Sequence, residues 1–205
     1  MISRRALLTA ATVSILVVPF GARAADSAGP VATVSAFYDT LLQAMKSGPR
    51  LGFSGRRDLL APAVDKAFDL PLMTRITIGP QWASVSPDEQ QKLVRAFSDY
   101  SVATYANRFD DYSGEKFNVD PKAAPSAGGD VIVHSKLVQS NGEPIELDYL
   151  MHQVSGDGWK IIDVYLSGTI SQLAAQRSEF TSVLRQGGAA ALIQSLRDKA
   201  AQLAS

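Results

Sequence analysis

The 205-residue chain has two histidines, His134 and His152, and no cysteine. Thiol nucleophiles, disulfides and cysteine-held metals are therefore excluded. The sequence holds no Gly-x-Ser-x-Gly elbow, no phosphate-binding loop and no His-Glu-x-x-His. Gly156-Asp157-Gly158 lacks the third glycine of a dinucleotide fingerprint and reads as a turn. Ser135, Asp148 and His152 are the residue types of a nucleophilic triad. Ser135 and Asp148 are expected as cross-strand partners, but His152 lies four residues from Asp148, roughly 13 Å along a strand. Catalytic hydrogen bonds need about 3 Å. Asp163, between Ile162 and Val164, is a candidate buried base toward an apolar substrate. The competing expectation is that it bonds a loop or a helix end nearby.

The elements that would position these residues fall into three blocks. Helices come first. Val34, Phe37, Tyr38, Leu41, Leu42 and Met45 recur at three and four, which predicts a helix over Val31–Ser47 stopped by Gly48-Pro49. A second helix is expected over Arg56–Phe68, with a kink or break at Pro62. A third opens at Asp69-Leu70-Pro71 and ends near Gly79-Pro80. Ser86-Pro87-Asp88-Glu89 is a capping box with proline in the first turn, and its helix should run to about Phe109.

Beyond Tyr112-Ser113-Gly114 the apolar period changes to two. Strands are expected over Glu115–Asp120, Asp130–Ser140, Glu143–Val154 and Trp159–Leu166, with a loop over Pro121–Gly129. Asn141-Gly142 signals a two-residue hairpin turn, and Ser155–Gly158 a second tight turn. Two closing helices are expected, Ile170–Arg185 and Ala189–Leu203, separated by Gly187-Gly188. The layout is α+β: a curved antiparallel sheet of about four strands wrapped by helices.

The two turns give a trial register. Val138 would face Ile145, His134 Tyr149, Ile132 Met151, Met151 Ile162, Tyr149 Val164, and Leu147 Leu166. These residues would share one wide apolar face, and the histidines would point to opposite faces, too far apart to share a metal. Helices alone could cover that face, or helices together with an apolar ligand such as an acyl or polycyclic lipid. A ligand site and a core have the same composition. If a cavity exists between sheet and helices, its expected lining is Leu147, Tyr149, Met151, Ile162, Val164 and Leu166. Phe97, Tyr100 and Tyr105 would join from the helix after Ser86.

The chain opens with Arg4-Arg5, an uncharged run from Ala6 to Phe20 and the small-residue site Ala22-Arg23-Ala24. This pattern predicts a cleaved export signal over residues 1–24, by the general or the twin-arginine route, and a single domain over 25–205. The apolar run of about 15 residues is short of the roughly 20 that span a bilayer. Removing the leader takes Arg4, Arg5 and Arg23 and no acid, so 17 basic face 20 acidic side chains, a formal charge of −3. Nucleic acid is not an expected partner, because phosphate binding needs clustered Lys and Arg. No cofactor is expected.

Several segments in order carry a family resemblance: Phe68-Asp69-Leu70 with Met73, Gly79 with Trp82, Ser86–Gln90, Thr104-Tyr105-Ala106 and Tyr112-Ser113-Gly114. The pattern continues in Trp159–Val164, Gly168–Ser171, Arg177–Phe180 and Gly187 before Leu192-Ile193. Together, over about residues 34–197, they resemble the MlaC or toluene-tolerance family of periplasmic lipid-shuttle proteins. Asp163–Ser171 is most similar to the hopanoid-associated HpnM branch. The resemblance implies an NTF2-like fold and a pocket for the tails of a phospholipid or hopanoid. It also implies a periplasmic monomer that meets an inner-membrane lipid transporter and an outer-membrane partner, without enzymatic activity. The family often has Gly-Val-Ser where this chain has Gly168-Thr169-Ile170-Ser171. Lysines are sparse toward the implied pocket mouth, which leaves head-group recognition open.

Overall fold

The computed structural model describes residues 29–139 and 142–204. The expected export signal, residues 1–24, lies outside them. Helix α1 (Pro30–Lys46) buries Val34, Phe37, Tyr38, Leu41 and Met45, the stripe its spacing predicts. Gly48-Pro49 ends α1 and also opens α2 (Gly48–Ala67), with proline in the first turn. A Cβ on Gly48 would lie 1.9 Å from the Asp110 carbonyl oxygen, so only glycine lets this corner approach the backbone at Asp110. The break expected at Pro62 falls at Gly52 (φ 60°, ψ −176°), a conformation open to glycine. Pro62 stays inside the helix.

Asp69 caps α3 (Leu70–Ile78) by accepting from the Leu72 amide at 2.9 Å. After a 3-10 turn, Gly79–Ser84, the Ser86–Glu89 capping box starts α4 (Pro87–Arg108). The last helix, α5 (Gln172–Gln202), is broken at Gly188 (φ 67°), inside the glycine pair expected to separate two helices. It begins at Gln172, not Ile170. Ser171 is its cap, and Ile170 is exposed in a short strand.

The strands are β1 (Lys116–Val119), β2 (Ala124–Pro125), β3 (Val131–Val133), β4 (Ser135–Val138), β5 (Ile145–Val154), β6 (Gly158–Leu166) and β7 (Ile170–Ser171). The expected strand over 130–140 is thus interrupted at His134, and the loop over 121–129 carries the two-residue β2. All strand pairings are antiparallel. Strand β5 is central. It pairs with β3 and β4 on one side and with β6 on the other; β1 flanks β4, β2 flanks β3, and β7 flanks β6.

The register corrects two expectations. Leu137 pairs with Ile145 and Val133 with Tyr149, one residue away from the trial pairing. A one-residue slip turns every side chain to the other face. Val133, Ser135 and Leu137 are therefore buried, whereas Ile132, His134 and Val138 are not on the buried face. Pro144, with no N–H to give to the ladder, precedes β5, and the strands stop short of the two-residue turn. Of that turn, Asn141 lies outside the described residues.

On the β6 side, Val154 pairs with Gly158 and Met151 with Ile161 rather than Ile162. A bulge between Leu150 and Met151 then restores the expected pairs Tyr149–Val164 and Leu147–Leu166.

The helices pack on one face of this sheet. Phe37 meets Phe68 and Tyr105 edge-on at 5.1 Å each, and Phe97 of α4 meets Phe180 of α5 at 6.3 Å. The Asp69 amide donates to the Ile161 carbonyl at 2.9 Å, pinning the α2–α3 corner to the edge of β6. The layers are held apart at one end, where α4, α5 and the β5–β6 pair do not close on each other.

Candidate functional site

That gap is a cavity of about 310 Å³, within the range of small-molecule sites. Leu137, Ile145, Leu147, Tyr149, Val164 and Leu166 form its sheet wall. Helix α4 contributes Phe97, Tyr100, Ser101, Thr104 and Tyr105, and ends in Arg108 and Phe109 at the rim. Val64, Phe68, Leu70 and Met73 close the deep end, and Gln172, Leu173 and Gln176 of α5 the remaining side. Val64, Phe97 and Tyr149 are almost wholly buried, whereas Ile145 is 38% exposed and Arg108 lies in solvent. The hollow is therefore blind at the Val64 end and opens between the end of α4 and the starts of β5 and α5.

Of the residues expected to line a cavity, Phe97, Tyr100, Tyr105, Leu147, Tyr149, Val164 and Leu166 stand on its wall. Met151 does not: it is fully buried opposite Ile161, away from the hollow. Ile162 is not on the wall either, because the bulge takes it out of the alternation that would aim it there. Leu137 and Ile145 come to the wall through the observed register. Val64, Phe68, Leu70 and Met73 arrive from helices whose approach to the sheet is not encoded locally. A larger hollow of about 750 Å³ lies between α1, α2 and the β5–β6 turn. It mixes Lys66, Lys160, Asp157, Gln43 and Thr40 with its apolar residues, and Lys160 already donates to the Asp65 and Lys66 carbonyls.

Polar groups around the cavity are mostly satisfied by the protein. Thr104 and Ser101 donate their hydroxyls to the Tyr100 and Phe97 carbonyls, both at 2.8 Å. Ser135 donates its single proton to the Leu147 carbonyl, so the Tyr38 hydroxyl donates to Ser135 Oγ at 2.6 Å. Burial pushes the Tyr38 phenol up to about 12. It also raises Tyr149 and Tyr105, where the nearby Arg108 guanidinium offsets part of the rise at Tyr105. The buried phenols thus stay neutral at neutral pH, and among the described residues the one charge on the wall is that of Arg108 at the rim.

The candidate catalytic groups have structural partners. Asp163 Oδ1 accepts from the Val164 and Leu173 amides at 2.7 and 3.1 Å, and Oδ2 accepts from the Ser171 hydroxyl at 2.5 Å. Ser171 Oγ in turn accepts from the Ala174 amide at 2.9 Å. Asp163 therefore anchors the start of α5, and with it Gln172, Leu173 and Gln176 at the cavity. Replacing it with alanine strands a buried amide and a hydroxyl, a cost of about 1–3 kcal/mol. Urea unfolding of Asp163→Ala should show that loss, and an unchanged midpoint would refute the anchoring role.

Ser135, Asp148 and His152 do not assemble. His134 Nδ1 lies 3.0 Å from Asp148 Oδ1, and His152 Nδ1 lies 2.9 Å from Asp130 Oδ1. Both histidines stand on the outer face of the sheet, not on opposite faces. Among the described residues, no group of three or more His, Cys, Asp or Glu could hold a metal.

The fold has known counterparts. A phospholipid-binding protein from Ralstonia solanacearum, solved in complex with a phospholipid, superposes with a TM-score of 0.74 at 28% identity. The match covers 87% of this chain and 100% of that one. The intermembrane phospholipid transport system binding protein MlaC of Haemophilus influenzae is 23% identical over 127 residues, 61% of this chain. This chain spans 59% of the length of that relative. The MlaC protein family matches residues 35–198, from α1 through α5, and the chain belongs to it.

Proposed function

We propose that this protein is a soluble carrier that takes the acyl tails of a membrane phospholipid into the α4–sheet cavity and moves the lipid between the inner and outer membranes. The observation that carries this reading is the one-ended apolar cavity. It has a single charged residue on its wall and lies in a fold shared with a phospholipid-bound relative. Each methylene buried there stabilises the complex by about 0.8 kcal/mol, so affinity needs length of wall rather than a polar motif. The site residues are Phe97, Tyr100, Tyr105, Leu147, Tyr149, Val164 and Leu166, joined by Leu137, Phe68 and Met73. Residues 1–24 serve as the export signal and 25–205 form one domain in the periplasm. No described helix is long and apolar enough to cross a membrane. The carrier acts as a monomer that receives or delivers lipid at an inner-membrane transporter and an outer-membrane partner.

Uptake tests the reading. Delipidated protein, incubated with phospholipid vesicles and re-isolated, should retain close to one phospholipid per chain, and the extracted lipid should be chemically unaltered. Retention no greater than that of an unrelated protein would remove the carrier reading. Hydrolysed or modified lipid would replace it with catalysis. Vesicles that also contain a hopanoid show whether a polycyclic lipid competes for the same cavity.

A further inference from the structure

Nothing deep in the cavity distinguishes one acyl lipid from another, so selection among lipids must occur at the mouth. Most polar groups there are already committed. The Ser101 and Thr104 hydroxyls bond within α4, and Gln172 Nε2 donates to the Ile170 carbonyl. Two are not. Arg108 and Gln176 both border the cavity, and neither side chain makes a hydrogen bond or ion pair with a described residue. Among the described residues, Arg108 is the only charged one on the wall. Its guanidinium is close enough to the Tyr105 phenol to act on it electrostatically. It stands in the last turn of α4, where a cation is favoured by the helix C-terminus.

We propose that Arg108, assisted by Gln176, binds the phosphate diester of a glycerophospholipid whose tails fill the cavity, and so selects phospholipids over uncharged lipids with the same chains. This rests on the carrier reading and specifies the chemistry of that site. A planar guanidinium presents paired N–H donors that match two phosphate oxygens, a geometry an ammonium does not reproduce. The Gln176 amide supplies a further donor from α5 across the opening. A lipid held in this way has its tails directed at Val64 and its glycerol at the level of Ile145, with the rest of the head group in water. Variation beyond the phosphate is then tolerated. A diacylglycerol or a triterpenoid offers no anion, and entering would leave the guanidinium without a partner.

The test is uptake from vesicles that contain phosphatidylglycerol and diacylglycerol of identical acyl chains at equal mole fraction, with both quantified by mass spectrometry. The native protein should favour the phospholipid about tenfold, the effect of one charge-assisted contact. Arg108→Gln should bring the ratio close to that of the vesicle. Arg108→Lys should retain part of the preference. Arg95→Gln removes a cation from an exposed position on the same helix, off the cavity wall, and should keep the native ratio. Excess inorganic phosphate should leave the ratio unchanged, because it has no chain for the cavity.

A native ratio in Arg108→Gln, or an equal fall in Arg95→Gln, overturns the assignment. Loss of preference on adding inorganic phosphate would show a site for the free anion and would also overturn it. If the native protein takes up neither lipid, the carrier reading itself fails, an outcome distinct from the others.

Discussion

Ser101→Trp should empty the protein of lipid while leaving it folded. Ser101 is half-buried on the α4 wall, and its hydroxyl serves only an intrahelical bond to the Phe97 carbonyl. Serine and tryptophan have similar helix propensities, so the backbone has no reason to change. The indole would project into space that a ligand would otherwise fill. Displacing about four methylenes of an acyl chain removes about 3 kcal/mol of binding, which weakens affinity by roughly two orders of magnitude. Because the ring enters an existing hollow rather than a packed core, stability should change by no more than about 1 kcal/mol. The check is lipid content by extraction together with the thermal midpoint. A folded Ser101→Trp that holds as much lipid as the native protein would place the ligand elsewhere, with the α1–α2 hollow the next region to test.

The second large effect is alkaline. Burial raises the phenols of Tyr38, Tyr105 and Tyr149 above the ordinary value of 10, Tyr38 to about 12. Below pH 10 both the folded and the unfolded chain keep these protons, so they make no difference to stability. Above pH 10 the unfolded chain releases protons that the folded chain retains, and stability falls as pH rises. The loss from each group levels off only at its folded value. For Tyr38 the window is about pH 10 to 12 and the loss about 3 kcal/mol, at about 1.4 kcal/mol per unit. Tyr149 and Tyr105 act with the same sign. Against a typical total of about 5–15 kcal/mol, this should unfold the protein cooperatively within that window.

Of the six tyrosines in the chain, Tyr38, Tyr105 and Tyr149 should ionise only together with loss of secondary structure. Phenolate absorbance and circular dichroism followed on the same samples read both events. Tyr38→Phe should make the alkaline loss shallower. All six phenols ionising near pH 10 with the fold intact would contradict the buried network.

Much of the helical layer is legible in the sequence because its signals are local. The Ser86–Glu89 box, the Asp69 cap and the glycine pair at 187–188 each act within a few residues, and each takes effect near where the sequence predicts. The sheet register depends on partners far apart in the chain, and the Asn141-Gly142 turn signal misplaces it by one residue. A better signal was present. In the observed register, the cross-strand partners on the outer face include His134 with Asp148 at 3.0 Å and Lys136 with Glu146 at 3.6 Å, and Asp130 meets His152 at 2.9 Å. The trial register would have set these charged residues opposite Tyr149, Leu147 and Gln153. Opposite charges directly across a ladder favour one alignment over its neighbour.

The bulge beside Met151 has no comparable signature in the chain, and it takes Ile162 off the expected wall; Met151 keeps its inward place in β5 but lies beyond the hollow. The cavity itself is less legible still. Tyr149, Val164 and Phe97 have the composition of a core. Around the hollow, α2 and α3 are tied to the sheet by the Asp69 amide on the Ile161 carbonyl, and the start of α5 by Asp163. Those anchors are a few polar contacts that no periodicity announces. The Arg108 position illustrates the same limit. In sequence it is the basic residue that ends a helix; only the fold places it alone at the rim of an apolar hollow.

The most direct test of the carrier reading is a native mass spectrum of the protein purified from periplasm, followed by organic extraction and lipid identification. A carrier should appear as a single chain with about one phospholipid, released intact on extraction and reduced in Ser101→Trp. A clean lipid-free mass, with no uptake when vesicles are added, would contradict the account and leave the cavity without its proposed occupant.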